Sequence, residues 1–213
     1  MGAGPVQDGG MKGRLRLDEV SNPAVLRAMH AVPREEFVPA HLRDAAYDDR
    51  ALPIACGQTI SQPAVVAYMT EQLQLRSDSR VLEVGTGSGY QAAVLAEIAP
   101  EVCSIERIPE LARTAAERLS RLGYTGIEVR VGDGAAGWPE RAPFDAIMVT
   151  AATEEIPPAL LDQLKPGGRL ILPLGSPDSG QTLVLAVKDA AGRITRHYLW
   201  PVRFVPLIAG EPA

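Results

Sequence analysis

Val81-Leu82-Glu83-Val84-Gly85-Thr86-Gly87-Ser88-Gly89-Tyr90 decides how the rest of this chain is read. Val81 to Val84 is a short apolar run carrying one acid, the pattern of a buried strand. Three glycines at alternate positions follow, and Gln91-Ala92-Ala93-Val94-Leu95-Ala96 then opens a helix-like pattern. Glycine lets a strand-to-helix turn bend tightly and lets a ligand come close to the backbone. The helix behind such a turn offers unpaired N–H groups and a partial positive charge. The stretch is a nucleotide-binding signal, and spacing selects the nucleotide. In the dinucleotide pattern G-x-G-x-x-G the third glycine would fall at position 90, which is Tyr90. A glycine-rich turn followed by a capping acid is the plainer alternative. Two acids argue against it. Glu83 stands two residues before the first glycine. Glu106 ends the next strand-like run, Val102-Cys103-Ser104-Ile105-Glu106, about 20 residues on, where a carboxylate can accept from both ribose hydroxyls.

Outward from this stretch the rhythm is strand, helix, strand, helix. Strands are predicted at Val81–Val84, Val102–Ile105, Ile127–Val131 and Phe144–Val149, and helices at Tyr90–Ala99, Pro109–Leu122 and Pro157–Leu164. Pro109 suits a first helical turn and Gly123 a C-terminal cap. Lys165-Pro166-Gly167-Gly168 reads as a turn before a fifth strand, Arg169–Leu174. Such alternation gives an α/β fold, a parallel sheet with helices on both faces. Thr182–Val187 and Ile194–Trp200 flank the hairpin-like Asp189-Ala190-Ala191-Gly192, which adds an antiparallel edge and brings the sheet to seven strands. Arg203-Phe204-Val205-Pro206-Leu207 is a last extended segment. Upstream, Asn22 to Met29 reads as a capped helix stopped near Pro33, Arg34 to Pro39 as a short element between prolines, and Tyr47 to Ile54 as irregular. Ala64 to Leu75 is a helix with Val65, Val66, Met69 and Leu73 on one face.

The 213 residues fit one domain, and 46% hydrophobic residues suffice for a sizeable core. The expected division is a disordered tail at 1–13 and a single domain at 14–213, with an N-terminal helical segment at 14–79 on the substrate side and the Rossmann-like core at 80–213. A formal net charge of −5 and a pI near 5.3 argue against a broad nucleic-acid footprint. No run approaches the about 20 apolar residues of a membrane span, and the start lacks the apolar stretch of a signal peptide. Cys56 and Cys103 make neither a disulfide framework nor a metal box, which suits a reduced cytoplasmic protein. His30, His41 and His197 show no ligand spacing, so no metal is expected. The protein is expected to be a monomer.

Ligands of open parallel sheets lie beyond the carboxyl ends of the strands. That rule selects Gly85–Gly89, Glu106 and Gly132-Asp133-Gly134. Asp133 is either an acceptor for an adenine amino group or an ordinary turn aspartate. Gly57-Gln58-Thr59-Ile60-Ser61-Gln62-Pro63 is a second distinctive stretch. Ser61 sits like an N-cap, with Pro63 in the first helical turn. It either caps the helix and nothing more, or joins the helix N-terminus in holding an anion such as a carboxylate. Arg203 is either a surface arginine on an edge strand or a fork for a carboxylate.

The E-x-G-x-G-x-G arrangement of Glu83, Gly85, Gly87 and Gly89 resembles the first motif of class I S-adenosylmethionine-dependent methyltransferases. Adding Gly57–Pro63, Ser104-Ile105-Glu106-Arg107, Gly132-Asp133-Gly134, Pro143-Phe144-Asp145-Ala146-Ile147 and Arg203–Leu207, the chain resembles the protein-L-isoaspartate O-methyltransferases from about Asn22 to Leu207. That resemblance implies a Rossmann-like methyltransferase fold. It implies methyl transfer from S-adenosylmethionine, leaving S-adenosylhomocysteine, to the free α-carboxylate of isoaspartyl residues in damaged proteins and peptides. The ester then collapses to a succinimide that reopens in part to aspartate. It implies Ser61 as the catalytic residue. For the cofactor it implies Gln58, Thr59, Ile60, Glu83, Gly85, Thr86, Gly87, Ser88, Gly89, Glu106, Arg107, Asp133 and Gly134, and for the substrate carboxylate Ser61 and Arg203. A carboxylate with a pKa of roughly 3.3–4.3 is already ionised at neutral pH, so this chemistry needs no general base. Other readings remain: a methyltransferase with a small-molecule or RNA acceptor, and a nucleotide-binding domain without catalysis.

Overall fold

The computed structural model describes residues 17–176, 178 and 180–210. The expected tail at 1–13 lies outside them. The strands in chain order are β1 (Leu52–Pro53), β2 (Thr59–Ile60), β3 (Arg80–Val84), β4 (Glu101–Glu106), β5 (Ile127–Val131), β6 (Phe144–Val149), β7 (Leu164–Ser176), β8 (Gly180–Lys188) and β9 (Ile194–Val202). The α-helices are α1 (Pro23–Ala31), α2 (Pro63–Gln72), α3 (Tyr90–Ala96), α4 (Pro109–Arg121) and α5 (Pro158–Asp162). Seven strands form one sheet in the order β5-β4-β3-β6-β7-β8-β9. Pairing is parallel from β5 through β7 and antiparallel at β7–β8 and β8–β9. The mostly parallel sheet with its antiparallel edge is the predicted one.

β3 is the strand at which the order reverses. β4 follows it on one side and β6 lies on the other, so a crevice opens past their carboxyl ends. Alternation along the strands divides the core. Val81, Val102, Ala146, Met148 and Ile171 face a layer that includes Val66, Met69, Ala92, Leu95 and Leu119 from α2, α3 and α4. Leu82, Val84, Ile105, Ile147, Val149, Leu170 and Leu172 face the other way, onto Leu160 of α5 and Trp138. Both faces are covered, one far more heavily than the other.

Four local expectations change. Leu164 pairs with Phe144 and joins the sheet, so α5 ends at Asp162 where a helix to Leu164 was expected. Lys165-Pro166-Gly167-Gly168 is not a turn between helix and strand. It is an insertion inside β7, lying between the pairs Phe144↔Leu164 and Ala146↔Arg169. α3 stops at Ala96, with Ala99 N–H still bonded to the Leu95 carbonyl at 2.9 Å. The segment Tyr47–Ile54, expected to be irregular, contributes β1, which pairs antiparallel with β2. That small hairpin carries Gln58 to Ile60 over the crevice. Among the described residues no helix is long and apolar enough to cross a membrane.

Candidate active site

The glycine turn between β3 and α3 is held from three sides. Gly85 has φ +98° and donates its N–H to the Ile105 carbonyl at 2.8 Å. A Cβ there would stand 2.3 Å from Thr150 Oγ1, the hydroxyl that donates to the Gly85 carbonyl at 2.7 Å. Gly87, at φ +53°, donates its N–H to Glu106 Oε2 at 2.8 Å. The other Glu106 oxygen accepts from Ile108 N–H at 3.0 Å. One carboxylate at the end of β4 thereby ties the β3–α3 turn to the β4–α4 turn. Each of its oxygens keeps a lone pair for a further donor.

Beneath the turn lies a buried polar chain. Glu83 is fully buried, and its Oε2 accepts from Ser104 Oγ, its cross-strand partner. Ser104 Oγ lies 2.5 Å from Thr86 Oγ1. Among the described residues Glu83 Oε1 has no hydrogen-bond partner. Burial pushes the Glu83 carboxyl up to about 8, opposed by the Ser104 hydrogen bond and reinforced by nearby Glu106.

Two adjoining cavities open above. The first, about 110 Å³, is bounded by Gln58, Thr59, Gly85, Gly87, Glu106, Arg107, Gly134, Thr150 and the segment Val205–Ile208. The second, about 50 Å³, is bounded by Thr59, Ile60, Ser61, Thr86, Ser88, Tyr90, Gln91, Thr150, Arg203 and Phe204. Thr59, Gly85, Gly87, Thr150 and Val205 face both.

Most of the residues named from sequence meet here. Glu83, Gly89 and Asp133 do not reach either wall. Gly89 packs on α4, where a Cβ would stand 3.3 Å from Leu119 Cδ1. Glu83 holds the underside of the turn. Asp133 caps the short 3-10 turn Gly134–Ala136, accepting from Ala135 N–H at 2.8 Å, and its other oxygen accepts from Gly210 N–H at 2.8 Å. Arg107 reaches the same segment, donating to the Gly210 carbonyl at 2.8 Å.

Ser61 does not cap α2. The cap position is Gln62, whose side chain makes no cap bond. Asp49 serves instead, accepting from Ala64 N–H at 3.2 Å and from Gln62 Nε2 at 2.8 Å. The helix N-terminus already holds a carboxylate, so it is not the anion seat expected from sequence. Among the described residues the Ser61 hydroxyl has no hydrogen bond, and Ser61 lines the second cavity. Arg203 is exposed at the mouth of that cavity and likewise makes no hydrogen bond or ion pair among the described residues. Its placement comes from Gln181. That buried amide accepts from Phe204 N–H at 2.6 Å and donates to the Phe204 carbonyl at 3.1 Å. Further along, Ala152 N–H donates to the Val205 carbonyl and Leu207 N–H to the Ala152 carbonyl, both at 2.7 Å.

Sequence reasoning missed Thr150, Tyr90, Gln91 and the closing role of Val205–Ile208. The strand-end rule that selected Glu106 would have selected Thr150, which follows β6. Asp49 had no such signal, because its bond spans 15 residues.

A family model described as "Protein-L-isoaspartate(D-aspartate) O-methyltransferase (PCMT)" matches residues 12–212. The chain belongs to that family. It is 60% identical over 190 residues to protein-L-isoaspartate O-methyltransferase 2 of Syntrophobacter fumaroxidans, covering 89% of this chain and 77% of that one. It is 55% identical over 194 residues to the protein-L-isoaspartate O-methyltransferase of Opitutus terrae, covering 91% and 83%. A solved protein-L-isoaspartate O-methyltransferase superposes with a TM-score of 0.81 at 32% identity, over 92% of this chain and 63% of that one. A Plasmodium falciparum β-aspartate methyltransferase in complex with S-adenosyl-L-homocysteine superposes with a TM-score of 0.78 at 27% identity, over 89% and 92%.

Proposed function

We propose that the chain transfers a methyl group from S-adenosylmethionine to the α-carboxylate of L-isoaspartyl residues in proteins and peptides. The carrying observation is the pair of cavities with a common wall. The first has the glycine turn and Glu106, whose spare lone pairs suit ribose hydroxyls. The second has an unengaged serine hydroxyl and an unengaged guanidinium, a donor set suited to a carboxylate.

When bound, S-adenosylmethionine supplies an electrophilic methyl on a cationic sulfur. Gly85 and Gly87 let the backbone come close to it, and Gln58, Thr59, Arg107 and Gly134 close the first cavity around the adenosyl group. Asp133 reaches the adenine side only through the segment it tethers at Gly210. Ser61 donates a hydrogen bond that turns one carboxylate oxygen toward the junction with the first cavity, where it can displace the sulfur from the methyl carbon. Arg203 grips the carboxylate or the neighbouring peptide carbonyls. The acceptor is ionised at neutral pH, so no residue need remove a proton. The chain's contribution is alignment and exclusion of water, effects that reach about 7–11 kcal/mol in favourable intramolecular cases. The following backbone nitrogen then attacks the ester carbonyl and expels methanol, which carries off the amide proton, and water reopens the resulting succinimide in part to normal aspartate.

We read the protein as a monomer of the reducing cytoplasm. Both cavities are complete within one chain, and Cys56 and Cys103 are free thiols. Two peptides identical except for an isoaspartyl or an aspartyl linkage, offered with labelled donor, test the reaction. Label enters only the isoaspartyl peptide. Equal labelling of both, or of neither, overturns the proposed substrate.

A further inference from the structure

Arg34 lies behind the second cavity, in the 3-10 turn Arg34–Phe37, and is fully buried. Its Nε donates to the Ala46 carbonyl and its Nη2 to the Ser61 carbonyl, each at 2.7 Å. The guanidinium carbon stands 4.7 Å from the centre of the Tyr90 ring, and Tyr90 is part of the cavity wall. Nη1 has no partner. Among the described residues no carboxylate forms an ion pair with it. The nearby Asp49 carboxylate is engaged by Ala64 and Gln62.

A guanidinium cannot escape burial by losing its proton. A buried cation without a counter-ion is costly, and an apolar side chain of similar volume is often no less stable. Local packing therefore gives a weak account of an arginine here. A better account is that its counter-charge arrives with the substrate.

We propose that Arg34 is a positioning residue for the substrate carboxylate, fixing the Ser61 peptide group and holding behind it a buried positive charge that no described carboxylate pairs directly. The inference rests on the reading of Ser61 and the second cavity as the acceptor site. Arg203 meets the carboxylate at the open mouth, whereas Arg34 acts from inside the protein through Ser61 and the Tyr90 face. Its charge favours a carboxylate over a neutral amide of the same shape.

The test compares two peptides as competitive inhibitors, one with the isoaspartyl α-carboxylate and one with the α-carboxamide. The variants are Arg34→Met, which keeps length without charge, and Arg34→Lys, which keeps charge without the fork. Wild-type turnover of the isoaspartyl peptide is measured first, because its absence would sink the acceptor-site reading and not this one. In Arg34→Met the preference for carboxylate over carboxamide falls by about tenfold or more, KM rises, and S-adenosylhomocysteine affinity stays within about twofold. In Arg34→Lys the preference stays within about threefold of wild type while kcat falls. Equal weakening of both peptides in Arg34→Met would show a structural role only and overturn the proposal. If Arg34→Met does not fold, folded Arg34→Lys decides: retained preference supports the proposal, and lost preference overturns it.

Discussion

Glu83 and Arg34 are both fully buried ionisable groups, each beneath a turn that forms a cavity wall, and each has one polar atom without a hydrogen-bond partner among the described residues. They resolve burial in opposite ways. Glu83 can become neutral, and burial pushes it up to about 8 to that end. Its neighbours Ser104 and Thr86 are hydroxyls that accept either arrangement of the proton. Arg34 is held by two carbonyl acceptors and the Tyr90 side chain, with the Asp49 carboxylate nearby, a setting that keeps a cation charged. The donor side of the crevice thus rests on a group that can discharge, and the acceptor side on one that cannot. That division suits a reaction in which a cation meets an anion where the two cavities join.

The contrast can be broken from either side. Gly85→Ala strikes the donor side hardest. Its Cβ would fall 2.3 Å from Thr150 Oγ1 on a backbone at φ +98°. Strain and clash of about 3 kcal/mol correspond to about a hundredfold loss of S-adenosylhomocysteine affinity, readable by calorimetric titration. Ser61→Ala strikes the acceptor side alone. Loss of a hydrogen bond to a charged group costs about 1.5–3 kcal/mol, so kcat falls about ten- to a hundredfold with donor affinity unchanged. Unchanged kcat and KM would remove Ser61 from the catalytic account.

Two smaller effects sharpen the contrast. In the native state the Glu83 carboxyl holds its proton to about pH 8, whereas the unfolded chain releases it near 4.5. Between those values the native state binds the extra proton, so rising pH favours unfolding. Glu83→Gln should remove up to about 1.4 kcal/mol per pH unit from the slope of stability in that window, measured by denaturant titration at several pH values. An unchanged slope would mean that Glu83 is ionised in the native protein. Asp49→Ala removes the cap of α2 and should cost about 1 kcal/mol, seen as a lower melting temperature, with little change at the glycine turn.

The donor side was largely legible in the sequence, because it is built from neighbours along the chain. Glycines at 85, 87 and 89 and an acid at the end of the next strand follow from local spacing, and β5 and β6 fall at the predicted residues. The acceptor side was legible only through resemblance. Ser61 is held by Arg34 from 27 residues upstream, α2 is capped by Asp49 from 15 upstream, and Phe204 is pinned by Gln181 from 23 upstream. No periodicity announces such bonds. The Ser61 error has the same origin. A serine two residues before a helical proline looks like a cap, and only the fold brings up the carboxylate that takes that place. Lys165–Gly168 misled similarly, since a loop inside a strand and a loop before one share a composition.

Thr59, Gly85, Gly87, Thr150 and Val205 each line both spaces, so the two spaces meet along these five residues. A boundary shared in this way has no independent sides. Changing the room for one ligand at any of these five positions alters the room for the other, and affinity for the methyl source cannot be tuned there without also retuning affinity for the damaged peptide.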